Sequence, residues 1–323
     1  MKALITGGAG FIGSHLADRL IDDGHEVWVL DDLSTGSIQN VDHLKANPRF
    51  HFTLGNVTDE SAVGELVDRA DVTFHLAAAV GVKLIVSNPV RTIETNVRGT
   101  EVVLQAAAKK NKLVVVASTS EVYGKGTKIP FSEEDDLLLG PTTRSRWGYA
   151  CSKAIDEYLS LAYAREKALP VIIARFFNTV GPRQTGRYGM VLPTFVRQGL
   201  RGEDITVYGT GDQRRCFGDV YAVVECLVRL VACEEARGQV FNLGCNREIS
   251  IAELAERVRA MTGGASEIVR VPYDQAYEEG FEDLGRRVPD VAKLERTIGF
   301  HPDTPVETII QNVIDHMQRT GEV

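Results

Sequence analysis

Short apolar runs alternate with longer amphipathic stretches along the first half of the chain. The runs Lys2–Thr6, Glu26–Leu30, Phe50–Leu54, Asp71–Ala78, Leu113–Ala117 and Pro170–Ala174 are brief and dominated by Val, Ile, Leu, Phe and Ala. That is how parallel strands read when helices cover both faces of their sheet. Between the runs lie helical patterns at Ser14–Asp23, at Pro89–Lys110 and from Tyr149 onward. Strand alternating with helix predicts an α/β fold, a Rossmann-type doubly wound parallel sheet. In such a sheet ligands bind outside the carboxyl ends of the strands.

Beyond Arg175 the rhythm changes. A turn-rich crossover, Phe176 to Arg183, precedes short strands at Thr206–Tyr208 and Gln239–Asn242, with helices starting near Met190, Asp219, Ser250 and Pro305. The predicted division is a dinucleotide-binding domain over 1–175 and a smaller substrate lobe making up most of 176–323. That second half gathers Arg183, Arg187, Arg214, Arg215, Arg286 and Arg287, several of them beside Gly or Pro turns. Solvated surface charge and an anion-binding lobe account for them equally well.

The loops after the strands carry the candidate chemistry. Gly7, Gly10 and Gly13 follow the first strand and open a helix, flanking Phe11 and Ile12. Glycines so spaced allow a tight turn, a close backbone approach to a pyrophosphate, and close packing of helix on strand. The second strand ends in Asp31-Asp32, and an acidic residue there can bond both ribose hydroxyls of NAD. No arginine follows in Leu33–Gly36 to receive a 2′-phosphate, so NAD is expected rather than NADP. Asn56 and Val57 close the third strand, Leu76, Ala77 and Ala78 follow the fourth, and Asn96 lies midway along the long helix. All are assigned to the cofactor's surroundings. His75, inside an apolar run, reads as a packing residue.

The fifth strand delivers Thr119, Ser120 and Glu121 to its carboxyl end. Tyr149 and Lys153 are four residues apart and share one face of the following helix. A nearby ammonium favours the phenolate, which would make the tyrosine a usable base near neutral pH. The segment from Gly124 to Trp147 is long and irregular, as functional loops often are.

The net charge of −8 argues against nucleic acid or an anionic membrane as a main partner. Five scattered cysteines without a Cys-x-x-Cys pair indicate neither zinc nor a disulfide framework, so no metal is expected. The chain has no leader pattern and no bilayer-length apolar run. A cytoplasmic protein is expected.

Together these motifs resemble the extended short-chain dehydrogenase/reductase family acting on nucleotide sugars, over nearly the whole chain. The resemblance implies tightly bound NAD, Tyr149 as the base at a sugar hydroxyl, and Lys153 on the nicotinamide ribose. It implies Thr119 on the same sugar oxygen, Asn178, Arg183 and Arg215 at the diphosphate, and Tyr208 against the nucleobase. It also implies a homodimer built from the Pro89 and Tyr149 helices, whose apolar positions include Leu159, Ala162 and Tyr163.

Within that family, Thr119-Ser-Glu-Val-Tyr-Gly124 looks like the UDP-glucuronate decarboxylases. Those enzymes pair it with an arginine in a segment that Gly280 to Arg287 matches here. Glu121 and Arg287 would then serve the substrate carboxylate in a UDP-sugar site. Two features depart from the pattern: Asn56 replaces an aspartate near adenine, and Val80–Val86 lacks the proline-rich loop of those enzymes. A UDP-sugar 4-epimerase is the alternative, and a non-catalytic NAD-binding regulator a more distant one.

Overall fold

The computed structural model describes residues 1–79, 81, 88–186, 190–272 and 286–322. Its first half runs β1 (Lys2–Thr6), α1 (Phe11–Asp22), β2 (Glu26–Asp31), β3 (Phe50–Leu54), α2 (Glu60–Arg69) and β4 (Val72–His75). It continues with α3 (Pro89–Ala108), β5 (Leu113–Thr119), α4 (Arg146–Lys167) and β6 (Val171–Phe176). Local chemistry sets the starts. Asp59 caps α2 by accepting from the Ser61 and Ala62 amides, and Pro89 opens α3 where its missing N–H costs nothing. The start of α1, at Gly10, has no side-chain cap, so its first N–H groups are available to an anion.

The second half runs β7 (Thr179–Val180), α5 (Val191–Arg201), β8 (Ile205–Tyr208), β9 (Arg214–Cys216), β10 (Gly218–Asp219), α6 (Val220–Ala232) and β11 (Gln239–Leu243). Then come β12 (Glu248–Ser250), α7 (Ile251–Met261), β13 (Ile268–Val271), β14 (Arg286–Arg287), α8 (Ala292–Ile298) and α9 (Val306–Thr320). A reciprocal capping box between Ser250 and Glu253 starts α7.

Seven strands form the main sheet in the order β11-β6-β5-β4-β1-β2-β3, all paired in parallel. The doubly wound expectation holds. One face buries Leu16, Leu20, Val29 and Phe74 with Val223 and Leu227 of α6. The other buries Leu4, Val63, Leu66, Val103, Val116 and Ile173. A separate core around Phe195, Val207, Leu254 and Val313 holds the lobe.

The expected split at residue 175 meets a chain that crosses back. β11 pairs with β6, and α6 packs against the sheet. The first core therefore draws on residues up to Leu294.

Strand order reverses between β1 and β4. The glycine loop and the Leu76–Ala79 segment leave those strands side by side, at the place where such sheets bind ligands. The loop after β5 is fixed independently. Tyr123 stacks on Phe131 at 4.7 Å and donates to Asn242 Oδ1 at 2.6 Å. Phe131 in turn exchanges backbone hydrogen bonds with Val288 and Asp290. The chain just after β14 is thus tied to the loop just after β5.

Candidate active site

The glycine loop is held by geometry that admits no side chain. Gly7 has φ +73°, and a Cβ there would lie 2.8 Å from the Ala77 nitrogen. A Cβ on Gly13 would lie 2.3 Å from the Gly7 carbonyl oxygen. Phe11 and Ile12 form the first turn of α1. Asp31 stands buried at the end of β2, accepting from the Ala9 amide at 2.9 Å and the Leu33 amide at 2.8 Å. Burial pushes its carboxyl up, and those two amides pull the other way.

Asn56 explains its own departure from the family pattern. Its Nδ2 donates to Asp32 Oδ2 at 3.0 Å, a contact that an aspartate would turn into repulsion. Arg91 reaches the same carboxylate at 3.9 Å from α3, a basic neighbour that Leu33–Gly36 did not supply. Val57 packs beside Gly99. Asn96 is fully enclosed by protein: its Oδ1 accepts from the Ala79 amide at 2.8 Å and its Nδ2 donates to Ser152 at 3.2 Å. It links the loop after β4 to α4.

Thr119, Glu121, Tyr149, Lys153 and Arg287 converge at the carboxyl end of β5. Thr119 caps the 3-10 turn Ser120–Tyr123, accepting from the Glu121 amide at 3.2 Å, and hydrogen-bonds Tyr149. Ser120 is buried within that turn. Arg287 pairs with Glu121 Oε1, and Arg146 Nη2 lies 3.0 Å from Oε2 and 3.3 Å from Oε1. Burial would raise the Glu121 carboxyl, but Arg287 and Arg146 outweigh it and hold it below its ordinary value.

Tyr149 departs from expectation. Burial pushes its phenol up, Glu121 and Asp156 push the same way, and only the Thr119 hydrogen bond opposes them. Lys153 is turned to another partner: its Nζ lies 2.6 Å from Asp156 Oδ2, and both side chains are buried. A chain of contacts continues behind it. Asp156 bonds Thr100, whose hydroxyl is 3.0 Å from His75 Nε2, while His75 Nδ1 is 2.9 Å from Thr6. Burial, with Lys153 adding to it, drives the imidazole down to about 3, so His75 is a neutral packing residue as expected.

The remaining expected positions scatter more widely. Arg215 is buried and stands beside Arg287 in the β9–β14 ladder, so the lobe sets two arginines next to each other. Asn178 donates to the Cys216 carbonyl at 3.1 Å. Tyr208 lies exposed at the end of β8. Arg183 is engaged elsewhere, with Asp18 of α1 at 2.8 Å. Arg187, Gly280–Gly285 and Val80–Val86 apart from Gly81 lie outside the described residues.

A family model described as the NAD dependent epimerase/dehydratase family matches residues 3–244. The chain belongs to this family. NAD is accordingly its cofactor, and the residues present fit it: the glycine cradle stays open at Gly10, α1 is uncapped, and Asp31 and Asp32 offer carboxylates at the ribose end.

The UDP-N-acetyl-alpha-D-glucosaminuronate decarboxylase of Bacillus cytotoxicus is 44% identical over 314 residues, covering 97% of this chain and 96% of that one. UDP-glucuronic acid decarboxylase 1 of Xenopus tropicalis is 35% identical, covering 99% of this chain and 73% of the relative. Among solved structures, the UDP-glucose 4-epimerase of Thermus thermophilus in complex with NAD superposes with a TM-score of 0.84 at 29% identity. That match covers 98% and 99% of the two chains.

Two residues of this family member were absent from the expected site. Arg146 stands three residues before Tyr149 and seven before Lys153, a spacing that places all three on one helix face. Asp156, one turn beyond Lys153, supplies the lysine's counter-ion. The Arg146 spacing was visible in the sequence; which carboxylates the two residues would meet was not.

Proposed function

We propose that the chain is a UDP-hexuronate decarboxylase: it oxidises the sugar at C4, releases the C5 carboxylate as carbon dioxide, and re-reduces the ketone. The carrying observation is the Arg287–Glu121 pair, set beside Tyr149 and Thr119. A plain 4-epimerase has no use for a buried glutamate and two arginines at that point. The decarboxylase relatives support the same reading.

When bound, NAD accepts the C4 hydride and later returns it. Tyr149 takes the proton of the C4 hydroxyl, with Thr119 on the same oxygen. The resulting β-keto acid loses carbon dioxide, its C–C electron pair passing to the enolate oxygen O4. Tyr149 and Thr119 stabilise that charge through hydrogen bonds aimed where it develops. Arg287 orients the departing carboxylate, while Glu121, held anionic by its arginines, keeps both guanidiniums in place and can order the water that protonates C5. Asn178 and Arg215 serve the diphosphate, Tyr208 the uracil, and Arg183 joins them only by leaving Asp18.

None of these steps touches C2, where glucuronate carries a hydroxyl and N-acetylglucosaminuronate an acetamido group. Both sugars therefore belong in the test. The product expected by mass spectrometry is a UDP-pentose, or its 2-acetamido form, lighter than the substrate by carbon dioxide. A product of unchanged mass would establish the epimerase instead. A product lighter by two further hydrogens would show that the keto intermediate escapes. Glu121→Ala should slow carbon dioxide release roughly 10²–10⁴-fold with NAD retained.

A second copy of the chain is the proposed partner. α3 and α4 expose Val90, Ile93, Ile155 and Tyr158, and Gly148 brings α4 close to Ile93. Leu159 and Tyr163, expected on this face, instead pack on the inner core. All five cysteines are free thiols, in keeping with a reducing, cytoplasmic setting. Among the described residues no helix is long and apolar enough to cross a membrane.

A further inference from the structure

The charges around Glu121 do not balance. One carboxylate faces two guanidiniums, Arg287 from β14 and Arg146 from the first turn of α4. The side chains of Glu121, Arg146 and Arg287 are 17%, 8% and 11% exposed, so water screens them little. The neighbouring Lys153–Asp156 pair closes its own charge. Beside Tyr149 there remains a surplus of one positive charge, and Arg215 extends it along the ladder.

With Arg287 alone on Glu121, the pair would be neutral. A substrate carboxylate entering there would meet the glutamate without a counter-charge. Like charges brought together in a poorly screened site repel strongly. A neutral hydroxymethyl group in the same place would meet no such penalty.

Resting on the decarboxylase reading, we propose that Arg146 determines specificity for an acidic sugar. It neutralises Glu121 and so leaves Arg287 its charge for the substrate carboxylate. Arg146 is a built feature of the site. Its guanidinium lies 5.7 Å from the ring centre of Trp147, which is buried. The indole in turn sits so close to Gly140 that a Cβ there would lie 2.1 Å from Nε1. The guanidinium also reaches both Glu121 oxygens through one nitrogen.

The test measures binding in a Tyr149→Phe background, which blocks turnover while leaving the charges in place. The probes are whichever UDP-uronate the wild type decarboxylates, and UDP-glucose, which carries a hydroxymethyl group where the uronate carries its carboxylate. In that background Arg146→Met should weaken the uronate roughly 30- to 1,000-fold and UDP-glucose less than about threefold, with NAD content unchanged. Arg146→Lys keeps the charge and should retain most of the preference. Adding Glu121→Gln to Arg146→Met restores the single surplus charge and should recover uronate binding, although not decarboxylation.

Equal weakening of both ligands would reduce Arg146 to a structural role and overturn the inference. So would an unchanged uronate affinity, or failure of Glu121→Gln to rescue. A wild type that turns over no uronate removes the decarboxylase reading itself, and that result is read before any Arg146 variant is made.

Discussion

The Lys153 ammonium and the Asp156 carboxylate form a buried ion pair at 2.6 Å, one helical turn apart on α4. Lys153 is therefore not an unopposed positive charge beside Tyr149, and Asp156 itself pushes the phenol up. Asp156→Asn should lower the pH at which Tyr149 ionises, seen as the phenolate ultraviolet absorbance missing from Tyr149→Phe. It should also cost about 3–5 kcal/mol of stability in urea titrations, because an uncompensated buried charge remains. An unmoved phenol titration would remove Asp156 as the opposing charge.

Glu121 gives a pH dependence on the acid side. Its folded-state value lies below its ordinary one, so it stabilises the fold above the unfolded carboxylate value of about 4.3. That contribution is lost as pH falls through the depressed folded value. Glu121→Gln should destabilise the protein at pH 7, and the gap from wild type should narrow toward pH 3. A constant gap across that range would contradict the ion-pair account.

Gly13→Ala forces a Cβ within 2.3 Å of the Gly7 carbonyl. The glycine loop must shift off α1, and copurified NAD should fall several-fold or vanish. Far-ultraviolet circular dichroism should show helix content retained. Full NAD content in the variant would mean that the loop tolerates the shift.

Tyr158 is 65% exposed and Ile155 43% exposed, on α4 beside the outer edge of α3. If a second copy covers them, Tyr158→Glu with Ile155→Glu should convert a dimeric mass by light scattering into a monomeric one. A wild-type monomer at micromolar concentration would end the proposal.

The sequence by itself determined the parallel sheet, its helices and the NAD cradle. Each follows from local rules: apolar runs covered on both faces, glycines where no Cβ fits, and caps such as Ser250 with Glu253. It also paired Glu121 with Arg287, through resemblance and not through spacing. Only the tertiary structure returned β11 to the main sheet, since strand partnership is decided by what packs beside β6 and not by position along the chain. Only the tertiary structure turned Lys153 to Asp156, raised Tyr149 and set Arg146 on Glu121. Those are electrostatic facts. They depend on which charges burial brings within a few ångströms, and helical spacing names the face on which a residue lies without naming the charge it will meet.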